Sequence, residues 1–571
     1  MSRSEPLNIP LMLLIALIQG LALLLLYQAG EHQVWPDGQP QWQIALYTLF
    51  IAGPVLLLLA LNRLNQGMIG LLTGVFVVII TLFGFYLGLQ GRPVGESGLG
   101  TPVAVFALTV GIACFKVLMY MQQLSSDERM SYGRLYHYSW RNFLTLGLSL
   151  LFMLVFWGIL LLWGSLFEII EIDFFSRLFE QEWFLFPALA VAHGLGVIIF
   201  RKMSGIIDTV RRLQQALMLS LLPVLVLIAV LFLAFLPFAG TETLWATGRG
   251  SLMILWLQAL VLFFVNGVYQ DEFEERPYPL LVHRLIYFGI LLLPAYSVIS
   301  FHGLSLRIAQ YGWTLDRCWA FMVWAVLALF SLGYLWGIVR RGDQWIRTLG
   351  TVNISMGLVV LLLMMLANSP WLDFRKLVVA NQVARLDTAA VDPADFDYYY
   401  LYRNLAGPGY AALEALGKRY AGSHPDIVVN RIADILAGKG EMNTISAEAF
   451  AAQVEQWPDN RALPLALETQ LREAVGRQTR DVARNLQYYL FRLDLDGDGV
   501  DEYVFLRAAA GYGFAKLYYL AGDAWVSVDM PGSGQWDPEQ IKRDIGNGEI
   551  GAVVPRWQDF RIGDRVFSPA D

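Results

Sequence analysis

Eleven stretches of roughly twenty apolar residues, each long enough to cross the hydrocarbon core of a bilayer, fill the first two thirds of this chain. On a hydropathy scan they run over roughly 8–28, 41–61, 68–89, 100–121, 143–166, 184–200, 214–238, 251–269, 280–300, 318–339 and 348–368. In lipid a segment must satisfy its backbone N–H and C=O groups internally, so such runs can only be helices. Composition agrees: 56% of residues are hydrophobic, 16% are charged and mean hydropathy is +0.49, outside the soluble globular range. The expected fold class is an all-α polytopic membrane domain of about eleven transmembrane helices, followed by a soluble α+β C-terminal domain. The apolar run from Leu11 to Tyr27 reads as the first span and not as a cleaved leader, because no small-residue cleavage site follows it.

Lys and Arg in short connections resist translocation, which sets the orientation. With the N-terminus inside, thirteen fall in inner connections: Arg3, Arg63, Arg129, Arg134, Arg141, Arg201, Lys202, Arg211, Arg212, Arg276, Arg340, Arg341 and Arg347. Five fall outside: Arg92, Arg177, Arg249, Arg307 and Arg317. Trp35, Trp183, Trp245, Trp313 and Trp371 fall at outer span ends, and Trp140 and Trp345 at inner ends, where aromatic belts form. An odd number of spans then carries everything after Pro370 across the membrane. The expected topology is a cytoplasmic N-terminus and a C-terminal domain on the outer face, which in a Gram-negative bacterium is a periplasmic C-terminal domain on the inner membrane.

The tail divides by periodicity into a helical segment, 370–484, and a small antiparallel β domain, 485–571, after a membrane domain of 1–369. "KLVVANQVARL", "YAALEALGKRY", "DIVVNRIADILAG" and "SAEAFAAQVEQW" place apolar residues three and four apart. "LQYYLFRLD", "EYVFLRA", "AKLYYLAG" and "AWVSVDM" alternate instead. From Pro370 onward 29 acidic residues face 21 basic ones, a net of −8 against −7 for the whole chain, which argues against nucleic-acid binding. Both cysteines, Cys114 and Cys318, lie in expected spans, so the tail has no disulfide.

Within the β segment, "DLDGDGVDE" spells a calcium loop. Asp494, Asp496, Asp498, Gly499, the Val500 carbonyl and Glu502 fill positions one, three, five, six, seven and nine of an oxygen cage closed by a tight glycine turn. Position twelve is Phe505 and not the bidentate Glu of an EF-hand, so the loop resembles the strand-loop-strand D-x-D-x-D-G-x-x-D loops of integrin-type FG-GAP repeats. The expected cofactor is a structural Ca²⁺ bound by Asp494, Asp496, Asp498, Val500 and Glu502. The competing reading is an Asp/Gly-rich hairpin turn that needs no metal.

Ionisable groups in spans are functional candidates. His283 and Arg284 lie a turn into the ninth span after acidic Glu272, Glu274 and Glu275, Pro294 interrupts that span, and Arg307, Tyr311, Asp316 and Arg317 gather at its outer end. Two readings stay open: snorkelling arginines, or a polar site beside a broken helix as in transporters. Lys116, His193, Asn266 and Asn353 stand isolated and read as interhelical contacts. "FEIIEIDFFSRLFEQEW" reads as an amphipathic helix along the outer interface. No H-E-x-x-H, G-x-S-x-G or phosphate-loop spelling occurs, so no catalytic residue is assigned.

The stretches "ERPYPLLVHRLIYFGILLLP" and "RIAQYGWTLDRCWA", with "VANQVARLD", "DFDYYYLYRNLAGPGYAALEAL" and "DLDGDGVDEYVF", resemble the bacterial membrane family catalogued as domain of unknown function 4153. The resemblance implies an integral inner-membrane protein with an extracytoplasmic tail and implies no activity. Three functions follow as expectations: an anchor for a calcium-stabilised domain that binds an envelope protein or cell-wall component, a secondary transporter of a small solute or lipid, and a lipid- or glycan-modifying enzyme. The first is preferred, because a tail of this size is unnecessary for a small-solute carrier. The lipid bilayer is the expected partner in every case.

Overall fold

A computed structural model describes residues 6–91, 100–126, 129–240, 250–270, 277–342, 345–393, 396–422, 428–436, 447–459, 461–476, 487–509, 512–522, 524–530, 538–547, 549–551, 560–562 and 565–567. Arg3, Arg92, Trp245, Arg249, Glu272, Glu274, Glu275 and Arg276 lie outside the described residues, as does the side chain of Arg347. The chain forms two compact units, Met1–Ile432 and Ala433–Asp571.

Among the described residues the first unit contains eleven helices long and apolar enough to cross a membrane. They are α1 (Ile9–Glu31), α2 (Pro40–Ala60), α3 (Gln66–Leu89), α4 (Gly100–Leu124), α5 (Tyr132–Ile169), α7 (Glu182–Lys202), α8 (Ser204–Ala239), α9 (Gly250–Val268), the pair α10 (Leu280–Leu291) and α11 (Leu293–Tyr311), α12 (Leu315–Arg341) and α13 (Ile346–Ala367). Every expected span is present. α5 runs 38 residues, well past its apolar stretch, because Arg134 and Arg141 end the hydrophobic signal without ending the backbone ladder. The interfacial segment resolves into the end of α5, a turn with Glu171 at φ 64°, a seven-residue helix α6 (Phe174–Glu180) and the start of α7.

Small residues let the spans approach closely, as lipid-embedded helices require. A Cβ at Gly20 would lie 2.7 Å from Pro187 Cα, one at Gly194 would lie 2.6 Å from Ala16 Cβ, and one at Gly88 would collide with the Gln41 backbone. Buried amides and hydroxyls then lock helices pairwise. Gln258 Nε2 donates to Ser297 Oγ and Ser331 Oγ, both at 2.7 Å. Gln122 and Asn142 exchange bonds of 3.1 and 2.8 Å. Asn353 Nδ2 donates to Asn266 Oδ1 at 2.6 Å, with the Tyr334 hydroxyl 2.6 Å from the same oxygen, so two asparagines that stand alone in sequence are partners in space.

Hydrogen bonds also gather alternate connections at each end of the bundle. At the end holding the N-terminus, Arg63 N–H donates to Pro6 O (2.8 Å), Asn65 Nδ2 to Ser125 Oγ (3.2 Å) and Arg201 Nη1 to Leu58 O and Leu61 O (2.8 Å each). Trp345, expected in an aromatic belt, is buried there against Tyr269, ring centroids 5.1 Å apart. The opposite end carries α14 (Phe374–Asp387), α15 (Tyr398–Asn404) and α16 (Ala406–Tyr420), which belong to the first unit.

The boundary between units falls within α17 (Asn430–Leu436). The second unit is built on a five-stranded sheet of order β1-β2-β3-β4-β5: Val454–Trp457, Gln487–Leu493, Glu502–Ala509, Tyr512–Ala521 and Ala524–Met530. Strands two to five form the expected antiparallel meander. The sheet is mixed, however, because β1 pairs parallel with β2. The segment "SAEAFAAQVEQW", expected helical throughout, forms helix α18 (Ala447–Gln453) and then becomes this edge strand, since a β-branched Val454 pairs well on a half-buried surface. α18 and α19 (Leu465–Gly476) bury Phe450, Leu467, Leu471 and Val475 against Tyr488, Leu490, Phe505 and Tyr518. On the other face α20 (Pro538–Gly546) brings Ile541 and Ile545 against Tyr489, Phe491, Leu506 and Ala508. Cover on both faces explains why β2 is buried at four consecutive positions. A two-stranded pair, β6 (Phe560–Ile562) and β7 (Arg565–Phe567), completes the described chain.

Candidate functional site

The acidic loop joins β2 to β3, a strand-loop-strand hairpin in which Leu493 stands opposite Glu502. Gly497 and Gly499 adopt φ of 79° and 85°, which lets the chain turn twice within five residues. The turns bring oxygens of Asp494, Asp496 and Glu502 within 4.8 Å of one another. Asp498 lies outside that group of three, and Asp501 turns away to pair with Arg492 Nε at 3.2 Å. Backbone donors support the carboxylates: Gly497 N–H and Gly499 N–H to Asp494 (2.7 and 3.1 Å), Asp498 N–H to Asp496 (3.1 Å), Val500 N–H to Asp498 (2.7 Å) and Leu495 N–H to Glu502 (2.7 Å). A carboxylate offers about four lone-pair positions. Each therefore keeps acceptor capacity for a hard cation.

The intramembrane candidates do not converge. His283 is fully buried on α10, its Nδ1 3.4 Å from the Tyr269 hydroxyl, while Arg284 beside it is exposed. Arg307, Tyr311, Asp316 and Arg317 sit a helix-length away, past the break at Leu292 that Pro294 follows. Of these, Arg317 and Tyr311 meet directly: the guanidinium lies 5.3 Å from the ring centroid and Nη1 donates to Gly312 O at 2.6 Å. Asp316 is exposed in the first turn of α12.

The turn between α11 and α12 is instead gripped from the tail. Asn381 Oδ1 accepts from Trp313 N–H (2.8 Å), Gln382 Nε2 donates to Trp313 O (2.7 Å) and Arg385 Nη2 donates to Gln310 O (2.9 Å). From α15 the Tyr400 hydroxyl accepts from Leu315 N–H at 2.9 Å, and burial pushes that hydroxyl up to about 12, so it stays neutral. Gly312, at φ 72°, makes room for this grip, because a Cβ would lie 2.6 Å from Arg385 Nη1 and 2.8 Å from Asn381 Oδ1. The stretches "RIAQYGWTLDR", "VANQVARLD" and "DFDYYYLYRN" thus form one clasp.

Beside it sits a buried ion pair that carries no pattern in the sequence. Arg375 Nε and Nη2 donate to the two oxygens of Asp373, both at 2.8 Å, and the Tyr86 hydroxyl donates to Asp373 Oδ2 at 2.8 Å. Burial alone would raise the Asp373 carboxyl, yet bonding and charge from Arg375, with help from Tyr86, hold it below its usual range.

A cavity lies within the span region. About 770 Å³ opens between α2, from Pro40 to Leu59, and α4, from Gly100 to Leu118, with Asn142 and Leu146 of α5 at one end and Asp37 at the other. Sequence reading had no access to it, because a cavity is defined by what the packed helices leave unfilled.

A family model described as "Domain of unknown function (DUF4153)" matches residues 11–416. Neither a curated protein nor a solved structure matches the chain.

Proposed function

The chain belongs to the family of domain of unknown function 4153, and from that premise we propose that this integral membrane protein anchors a calcium-supported interaction domain across the membrane from its N-terminus. The observation that carries the reading is the approach of the Asp494, Asp496 and Glu502 oxygens to within 4.8 Å. Three negative charges so close repel one another, and a divalent cation turns that repulsion into attraction. On this reading Asp498, which lies outside that group of three, and the Val500 carbonyl supply the remaining oxygens when the ion binds. The ion's role is structural, pinning the β2–β3 hairpin. No described side chain there has the arrangement of a nucleophile and base.

An odd number of spans and the thirteen-to-five excess of basic residues support an extracytoplasmic tail, periplasmic if the membrane is a bacterial inner membrane. Calcium outside the cytosol is plentiful enough to fill sites with Kd of about 10⁻⁴ to 10⁻³ M. The domain's partner is then an envelope protein or a wall component. The carrier reading draws on the helix break before Pro294, but the charged residues nearby do not converge on it.

Calorimetric titration of calcium into the detergent-purified full-length protein tests the proposal. Saturable binding in the submillimolar to millimolar range, abolished by Asp494→Asn with Asp496→Asn, is the expected result. Absence of binding up to 10 mM, an arbitrary ceiling about tenfold above the weakest expected Kd, would reduce the loop to an ordinary hairpin turn.

A further inference from the structure

The cavity between α2 and α4 has no role in the proposal above. Its α2 wall, Pro40 to Leu59, covers twenty residues, or about 28 Å of helix rise, close to the roughly 30 Å hydrocarbon thickness of a bilayer. The volume of about 770 Å³ falls in the range of ligand pockets, roughly 300–1,000 Å³. Two polar groups on its wall are already engaged. Thr48 Oγ1 donates to Ile44 O at 2.7 Å, and the Asn142 amide is bonded to Gln122. Water needs two to four polar partners to occupy such a space, so the shaft suits hydrocarbon.

The mouth differs from the shaft. Asp37, in the α1–α2 connection, accepts from Gln43 Nε2 at 3.1 Å, and both residues line the cavity. Among the described residues no cation pairs with Asp37. A carboxylate with spare acceptor positions at the water boundary, above an apolar shaft, matches an amphiphile with a hydrogen-bond-donating cationic head.

We propose that this cavity is a specific lipid site: the hydrocarbon of one phospholipid fills the shaft, and its primary-ammonium head pairs with Asp37. Two features of the wall make the site testable. Gly111 lines the shaft, and a Cβ there meets no heavy atom within 4 Å, so a large side chain fills space without displacing backbone. Cys114 lines the same shaft and is half-buried, whereas the other thiol, Cys318, is buried elsewhere.

The test is native mass spectrometry of the full chain, purified in detergent and exposed to phosphatidylethanolamine or phosphatidylglycerol, together with the rate of Cys114 labelling by N-ethylmaleimide. The wild-type protein should retain one phosphatidylethanolamine at activation that strips other lipid, with at least fivefold preference over phosphatidylglycerol. Asp37→Asn should erase the preference, Gly111→Phe should abolish retention, and phosphatidylethanolamine should slow Cys114 labelling in the unmutated protein. Equal retention by wild type and Gly111→Phe would overturn the site, as would labelling unaffected by lipid. A preference unchanged in Asp37→Asn would overturn the head-group assignment.

Discussion

Gly312 carries two constraints at once: a positive φ that side chains resist, and contact with Asn381 and Arg385 of the clasp. Gly312→Ala should lower the thermal midpoint in detergent by the equivalent of about 1–3 kcal/mol, the cost of holding a side chain in a backbone region that essentially only glycine adopts. Gly111→Ala, where the added atom meets nothing, should leave the midpoint unchanged or raise it. Equal losses in both would show that the clasp does not hold α14 to the spans. Arg375 poses a different residue-scale question, because removing it strands a buried carboxylate. Arg375→Ala should cost about 3–5 kcal/mol. The Asp373 carboxyl is held below its unfolded value, so its stabilisation is full above the unfolded pKa near 4 and is lost as pH falls through the lower folded value. Thermal melts between pH 5 and pH 2 should therefore fall more steeply for wild type than for Asp373→Asn.

At the scale of elements, the β2–β3 hairpin sets up a sign test. Asp494→Asn with Asp496→Asn keeps an oxygen to accept the loop N–H groups but removes two charges. In calcium the variant should melt below wild type. In chelator it should melt level with wild type or above it, because repulsion is relieved. A loss of the same size in both conditions would contradict a metal role. The elements were unevenly legible in the sequence. The eleven spans and strands β2 to β5 could be read directly, since bilayer thickness and two-residue alternation impose simple patterns. β1 could not, because four residues following a helix without an intervening Gly or Pro give no period to detect. The clasp was visible only as quoted stretches that share a family likeness. Its bonds run from Asn381, Gln382 and Arg385 to backbone atoms some seventy residues away, and backbone acceptors leave no trace in composition. The Asp373–Arg375 pair was hidden for a similar reason, since an acid and a base two residues apart look like any polar turn until Tyr86 closes over them.

At the scale of the whole molecule, the α14–α16 region extends the membrane unit and the sheet begins a second one, so the tail is not a single body. The clasp and the ion pair fix the first extramembrane helix to the ends of α3, α11 and α12. Which side of the membrane that end faces governs everything proposed for the acidic loop, because a calcium site with Kd of about 10⁻⁴ to 10⁻³ M stays empty in cytosol. The most direct test is a reporter active only outside the cytosol, fused after Asp571 of the intact chain and compared with the same reporter placed before Met1. Activity at the C-terminal position and silence at the N-terminal one is the predicted result. Activity at the N-terminal position with silence at the C-terminal one would place the acidic loop in the cytosol and contradict the proposed function.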